Sequence, residues 1–300
     1  MIEGLSARLS PAARGHLAML LFSVLVAGSF SLGSLVANQI APAALNAVRF
    51  LIAGTVIGTL AAVTCGFRRV YFRAPWRYLL MGGAFAFYFL MMFEGMKTAP
   101  PVSAAAVFTL IPVMAAGFGY LLLRQITTGR MALALLIGGI GALWVIFRAD
   151  LGALLAFCIG SGEMIFFLGC IAHAFYTPLV RKLNRGEPAL VFSFGMMVAG
   201  FLVLLAWGWR DIGATDWGGL RPIVWIALIY LSIFASASTF VLMQYATLRL
   251  PSAKVMAYTY LTPSWVIGWE YALGHGLPPA LVSGGVGLTV VALLMLLEER

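Results

Sequence analysis

Ten stretches of this chain are long and apolar enough to cross a bilayer, and that constrains its fold more than any other feature. A helix needs about 20 apolar residues to span roughly 30 Å of hydrocarbon. The runs lie at 16–38, 43–64, 75–96, 100–123, 129–147, 161–180, 188–208, 222–246, 251–273 and 279–297, each bounded by charges, proline or glycine. Only helices and closed barrels satisfy their backbone polar groups in lipid. A barrel would show segments of about ten alternating residues, whereas these runs are continuous, so an all-α membrane protein of ten transmembrane helices is expected. The composition agrees. Apolar residues make up 62% of the chain and charged residues 10%, well below the roughly 25% that wets a soluble domain. Two soluble domains, a disordered chain, a collagen-like chain and a disulfide scaffold are excluded on the same ground.

The connections are short, so neighbouring helices run antiparallel. Residues 151–160 (LGALLAFCIG) are too few to span; they extend a helix or lie at the interface. Arg8 and Arg14 precede the first run as in a signal peptide, but the stretch from His16 to Asn38 exceeds the roughly 7–15 residues of a signal core. It reads as a retained first helix behind a cytoplasmic segment, 1–15.

Lys and Arg set the orientation. With the N-terminus inside, the inner segments carry Arg8, Arg14, Arg68, Arg69, Arg73, Arg77, Arg124, Arg130, Arg181, Lys182, Arg185, Arg249, Lys254 and Arg300, which is 14 of the 19. The outer loops carry Lys97, Arg148, Arg210 and Arg221, and Arg49 lies within a helix. Both termini are therefore expected in the cytoplasm, in a multi-pass inner-membrane protein. The net charge of +9 then reflects topology and attraction to anionic lipid of the inner leaflet, not nucleic-acid binding. Cys65, Cys158 and Cys170 show no CxxC spacing and no nearby His cluster. On one helix Cys158 and Cys170 would be about 18 Å apart, too far to bond. All three read as small apolar fillers.

The halves 16–150 and 151–300 resemble each other. VAGSF at 26–30 matches IAHAF at 171–175, FLIAG at 50–54 matches MMVAG at 196–200, and Pro100 and Pro112 match Pro251 and Pro263. Five helices per half is odd, so the second half enters from the opposite side: an inverted repeat, the architecture of many secondary transporters. The repeat also places Glu163 in the first turn of the sixth helix, at the outer surface, where water and the helix dipole favour a carboxylate.

Several segments resemble the drug/metabolite transporter superfamily, in particular its EamA-type branch. They are APAALNAVRFLIAG (41–54), APPVSAAAVFTLIPVMAAGFGYLLL (99–123), LPSAKVMAYTYLTPSWVIGWEYALG (250–274) and GEMIFFLGCIAHAFYTPLVRKL (162–183). Within that branch the aromatic-rich sequence is most similar to bacterial YddG-type amino acid exporters. The family often has Gly-Glu after its fourth and ninth helices; this chain has Arg124-Gln125 and Gly274-His275 instead. The resemblance implies a central cavity lined by helices 1, 3, 4, 6, 8 and 9.

The residues themselves point to the same region. Pro112 and Pro263 fall near the centres of the fourth and ninth runs and withdraw the hydrogen bonds to the carbonyls of Phe108 and Thr259. Those carbonyls need a partner in hydrocarbon: a substrate ammonium group, a neighbouring hydroxyl or water. His173 is the one histidine at mid-depth; it either hydrogen-bonds a substrate carboxylate or is a core histidine bonded to a neighbour. Phe85, Tyr88 and Met92 share a face of the third helix, and Tyr258 and Thr262 one of the ninth. These stripes suit an apolar substrate body, or ordinary bundle packing. Ser232, Ser236, Ser238 and Thr239 on the eighth helix either draw helices together or line the cavity. Arg49 either snorkels outward or pairs with Glu94 or Glu270 as an outer gate. Gly54 and Gly58, and the matched sets Gly138, Gly139, Gly141 and Gly284, Gly285, Gly287, permit close helix approach. Trp207, Trp209, Trp217 and Trp225 mark an interface belt.

The sequence contains no Walker A loop, no HExxH, no metal-spaced cluster and no mid-membrane carboxylate pair. No cofactor or metal is expected. The reading is a carrier that exports small amphipathic metabolites, most of all apolar or aromatic amino acids, by alternating access. A multidrug or other metabolite carrier of the same superfamily is the alternative. A membrane enzyme acting on lipid-linked substrates is the rival from another class. Coupling to protons, oligomeric state and conformational state are not written in the sequence.

Overall fold

A computed structural model describes residues 10–155 and 159–297. Cys158, Arg8 and Arg300 lie outside the described residues. Within them the chain is helical throughout, with no strand. The long helices are α1 (Pro11–Val36), α2 (Pro42–Thr64), α3 (Trp76–Gly95), α4 (Pro101–Leu123), α5 (Gly129–Ile146), α6 (Ser161–Leu183), α7 (Ala189–Ala214), α8 (Pro222–Thr247) and α10 (Ala280–Leu297). These nine are long and apolar enough to cross a membrane. The expected tenth span, α9, is made of three pieces: Ser252–Ala257, a 3-10 turn Tyr258–Leu261, and Thr262–Ala272. No piece alone is long enough to cross.

The prolines explain the interruption. Pro112 and Pro263 do not sit mid-helix. Each occupies the first turn of a new helical piece, Ile111–Leu123 and Thr262–Ala272, where the missing N–H is not needed. Threonine hydroxyls take the carbonyls just upstream. Thr109 donates to the Ala106 carbonyl at 2.6 Å, and Thr259 to that of Met256 at 2.7 Å. These are not the carbonyls of Phe108 and Thr259 that the prolines were expected to release. In α8 the interruption is a π-helical turn, Ile233–Ser238.

The helix starts are local. Ser10 caps α1 by accepting from the Ala13 amide at 3.1 Å, and Thr128 caps α5 through Met131. Pro11, Pro42, Pro101 and Pro222 occupy first-turn positions. Leu151–Leu155 forms a short helix between α5 and α6. Cys65 is exposed at the end of α2, and Cys170 is buried.

Three of the matched helix pairs, α2 with α7, α4 with α9 and α5 with α10, pack directly against each other, and they do so antiparallel. On α2 and α7, Gly54 meets Met197, Gly58 meets Phe194, and Ala43 meets Gly208. On α5 and α10, Gly141 meets Gly285, and Trp144 donates to the Leu281 carbonyl at 2.9 Å. The first half of α4 lies on the second half of α9, and the converse also holds. Likewise α3 packs on α6 as α8 packs on α1. A two-fold axis perpendicular to the helices produces this pattern. We call the end where α1 starts the base and the opposite end the top.

A Cβ on Gly141 would sit 2.6 Å from the Gly285 carbonyl oxygen, whereas one on Gly117 would meet nothing within 4 Å. Gly141→Val is expected to cost about 1–3 kcal/mol by overpacking and to lower the melting temperature in detergent. Gly117→Ala is expected to leave it level or raise it slightly.

Candidate functional site

An aromatic cluster fills the middle of the bundle where α3, α4, α6 and α8 meet. His173 stacks on Tyr88, at 4.7 Å between ring centroids, and on Phe108, at 5.6 Å, and those two rings are themselves 6.3 Å apart. Phe85 meets the imidazole edge-on at 4.9 Å and also touches Tyr176 at 4.2 Å and Phe240 at 4.4 Å. Phe30 and Phe166 close the side facing α1. The expected wide cavity is therefore filled in this conformation. His173 is 2% exposed, and the larger cavities lie at the bundle's periphery. One, about 550 Å³, is an apolar groove lined by Leu110, Val113, Leu136 and Phe167.

The cluster holds polar atoms that lack partners. Buried and unpaired are His173 Nδ1, Arg49 Nη1, Asn46 Oδ1 and Gln244 Oε1. Each such atom costs roughly 1–3 kcal/mol. Unpaired buried oxygens also occur elsewhere, as at Ser193, Tyr260 and Glu270; Arg49 and His173 are set apart by their contact with the rings. Gln244 donates to the Tyr176 hydroxyl at 2.9 Å, which in turn donates to the Met196 sulfur at 3.2 Å.

The structure separates the expected site residues. Phe85, Tyr88, Phe108 and His173 converge, and Met92 is buried on the same helix as the first two. Ser236 joins through Arg49. Tyr258 lies toward the base, where its hydroxyl is 3.1 Å from His16 Nδ1, and the Thr259 hydroxyl is spent on its own helix. Ser232, Ser238 and Thr239 likewise bond carbonyls of α8.

Arg49 departs most from the outward position expected of it. It is 0% exposed and does not snorkel. It pairs with neither Glu94, which holds Lys97 at 2.7 Å, nor Glu270, which holds His275 at 2.7 Å. Its Nε donates to Ser236 at 2.6 Å and its Nη2 to the Ala235 carbonyl at 3.0 Å. The wide turn of α8 presents that carbonyl, and the guanidinium lies 3.8 Å over the Phe89 ring. Glu163 is in the first turn of α6 as expected, but it is buried and accepts from Ser103 at 2.7 Å. The second helix cannot carry Arg49 to water because α8 covers that face.

Sequence reasoning passed over Phe89, Tyr176, Phe240, Asn46 and Gln244. The two amides carried a usable signal: each is a lone polar group within a long apolar run, which obliges a partner. Among the described residues, no group of three His, Cys, Asp or Glu side chains could hold a metal.

At the base, Arg77 and Glu187 form an ion pair at 2.7 Å with both side chains almost fully buried. Arg77 also donates to the carbonyls of Leu183, Tyr71 and Ala74. The clasp ties the start of α3 to the link between α6 and α7. Burial pushes the Glu187 carboxyl up, but hydrogen bonds from Arg77 and the Arg185 amide outweigh it and hold the group below its usual range.

Comparison with known proteins agrees with the repeat. Residues 13–147 and 160–297 match the EamA-like transporter family. The chain is 23% identical over 274 residues to the uncharacterized transporter YyaM of Bacillus subtilis (strain 168), covering 90% of each. A solved structure titled only as the crystal structure of a protein superposes with a TM-score of 0.71 at 21% identity, over 95% of each chain. That likeness establishes the fold.

A carboxylate held below its usual range stabilises the fold above that range, and the gain is lost as pH falls through the lowered value. Thermal unfolding followed from pH 7 downward is expected to show a loss of stability below about 4.3 that is smaller in Glu187→Gln. Arg77→Met, which strands a buried carboxylate, is expected to cost about 3–5 kcal/mol at pH 7.

Proposed function

This chain belongs to the EamA-like transporter family, a family of multi-pass membrane transporters of small molecules, and from that premise we propose that it exports amino acids with apolar or aromatic side chains across the inner membrane. In this reading ten helices form two inverted five-helix halves, with α9 spanning despite its interruption. The base faces the cytoplasm, where most Lys and Arg gather and meet anionic lipid. The antiparallel packing of matched helices supports the inverted arrangement.

One observation carries the substrate reading: His173, in contact with the rings of Tyr88 and Phe108 and with an unpartnered ring nitrogen, sits in a ring-lined centre. The rings suit an apolar substrate body, and the orphaned polar atoms suit a polar head. The structure then corresponds to a closed state. Alternating access parts the cluster toward one face and then the other, and the Arg77–Glu187 clasp opens when the base does. Arg49, Glu94 and Glu270 do not form a joint outer gate in this state; Glu94 and Glu270 act at the top with their own partners. A carrier of lipophilic drugs is the second reading, favoured by the number of aromatic rings in the cluster. A membrane enzyme is disfavoured because, among the described residues, no carboxylate contacts His173.

Proteoliposomes preloaded with labelled phenylalanine, leucine and tryptophan, without ATP, test the proposal. Efflux above empty liposomes is expected, and none across the panel would reject it. His173→Ala and Tyr88→Ala are expected to lower efflux about tenfold, the equivalent of one lost stacking contact. A folded variant with unchanged efflux would remove that residue from the site.

A further inference from the structure

We propose that Arg49 and Asn46 together read the α-amino carboxylate head of the transported molecule, Arg49 taking the carboxylate and Asn46 the ammonium group; this rests on the transport reading of the same cluster. The first observation is a charge without a counter-charge. Arg49 is wholly buried, and among the described residues no carboxylate pairs with it. Its two acceptors, Ser236 and the Ala235 carbonyl, are neutral, and its Nη1 has no acceptor. A buried guanidinium normally has an anion, because leaving one uncompensated is strongly destabilising. Within a membrane such a residue marks a functional site by default.

The second observation is the complementary atom beside it. Asn46 precedes Arg49 by three residues, on the same face of α2. Its amide nitrogen donates to the Pro42 carbonyl at 2.9 Å and lies 3.4 Å from that of Phe89. Both neighbours are acceptors, which fixes the nitrogen there and leaves Oδ1 facing away without a donor. One helix face thus offers an unmatched donor with positive charge next to an unmatched acceptor. A zwitterion supplies a carboxylate for the first and an N–H donor for the second.

The third observation is where the pair sits. The guanidinium lies over Phe89, whose ring packs on Tyr88 at 4.8 Å and Phe85 at 5.6 Å. The head is therefore held at the edge of the ring cluster that would take an apolar side chain. A planar guanidinium binds carboxylate in two-point fashion, so the carboxylate sets the orientation of the rest.

The full-length protein in proteoliposomes tests this by counterflow of four matched compounds: phenylalanine, its amide, phenethylamine and 3-phenylpropionate. Phenylalanine is expected to move at least about tenfold faster than the amide and phenethylamine, a difference of about 1.4 kcal/mol. Arg49→Lys is expected to keep that preference at a lower rate, and Arg49→Met to abolish it. Asn46→Leu is expected to keep the preference for carboxylates while levelling phenylalanine with 3-phenylpropionate, which keeps the test open if Arg49→Met does not fold. If phenethylamine moves as fast as phenylalanine in the unaltered protein, the assignment is overturned and the transport reading survives. If Arg49→Met folds and keeps the ratio, Arg49 is only a brace for α8. If none of the four compounds moves, the transport reading fails and the assignment falls with it.

Discussion

A polar atom in hydrocarbon has no water to bond, and the irregular turns in α4, α8 and α9 are shaped by that constraint. At the breaks in α4 and α9, Thr109 and Thr259 turn their hydroxyls onto the carbonyls of Ala106 and Met256. The wide turn in α8 is tolerated because Thr239 and Arg49 share the Ala235 carbonyl. Where the constraint is met by the chain's own groups, the irregularity is structural. Where it is left unmet, at Arg49 Nη1, His173 Nδ1, Asn46 Oδ1 and Gln244 Oε1, the fold carries a cost that packing alone does not repay. Two of these, on Arg49 and His173, touch the ring cluster directly.

The two-fold arrangement gives the irregularities their places. Matched helices meet antiparallel through glycine, as at Gly141 and Gly285, where the backbones approach closely. The same operation puts the break in α4 beside the break in α9. The base and the top are nonetheless chemically unlike. The base is tied by the buried Arg77–Glu187 pair, while the acids at the top hold Lys97, His275 and Ser103. The frame is thus symmetric in its helices and unlike in the chemistry of its two ends.

The helices were legible in the sequence because hydrocarbon thickness sets their length and hydropathy marks it directly. Nine of the ten runs became helical spans, two of them locally interrupted, and the repeat matches at 50–54 with 196–200 and at the prolines lay on helices that pack as mates. The interruption of α9 was foreshadowed by Pro263, but its 3-10 turn was not, since Tyr258–Leu261 is as apolar as its surroundings. Of the site, Phe85, Tyr88, Phe108 and His173 came together because spacing on one helix and depth in the membrane are both readable. Tyr258 was misplaced because facing the right helix does not fix the level at which a ring finds its partner, here His16. Arg49 was misread because a lone arginine near a helix end ordinarily reaches water, and nothing in the sequence said that the wide turn of α8 would cover it. The filled centre was equally invisible: which conformation a carrier rests in is decided by small differences between packings, not by the pattern that builds the helices.

The central claim is that this packed interior is one of two states, and the most direct measurement is the distance across the base. Spin labels at Arg73 and Arg185, both exposed and flanking the clasp, can be followed by pulsed electron resonance in nanodiscs. The account predicts two distance populations, with the longer one changing in weight when phenylalanine is added. A single distribution that no substrate and no loss of the Arg77–Glu187 pair alters would contradict it.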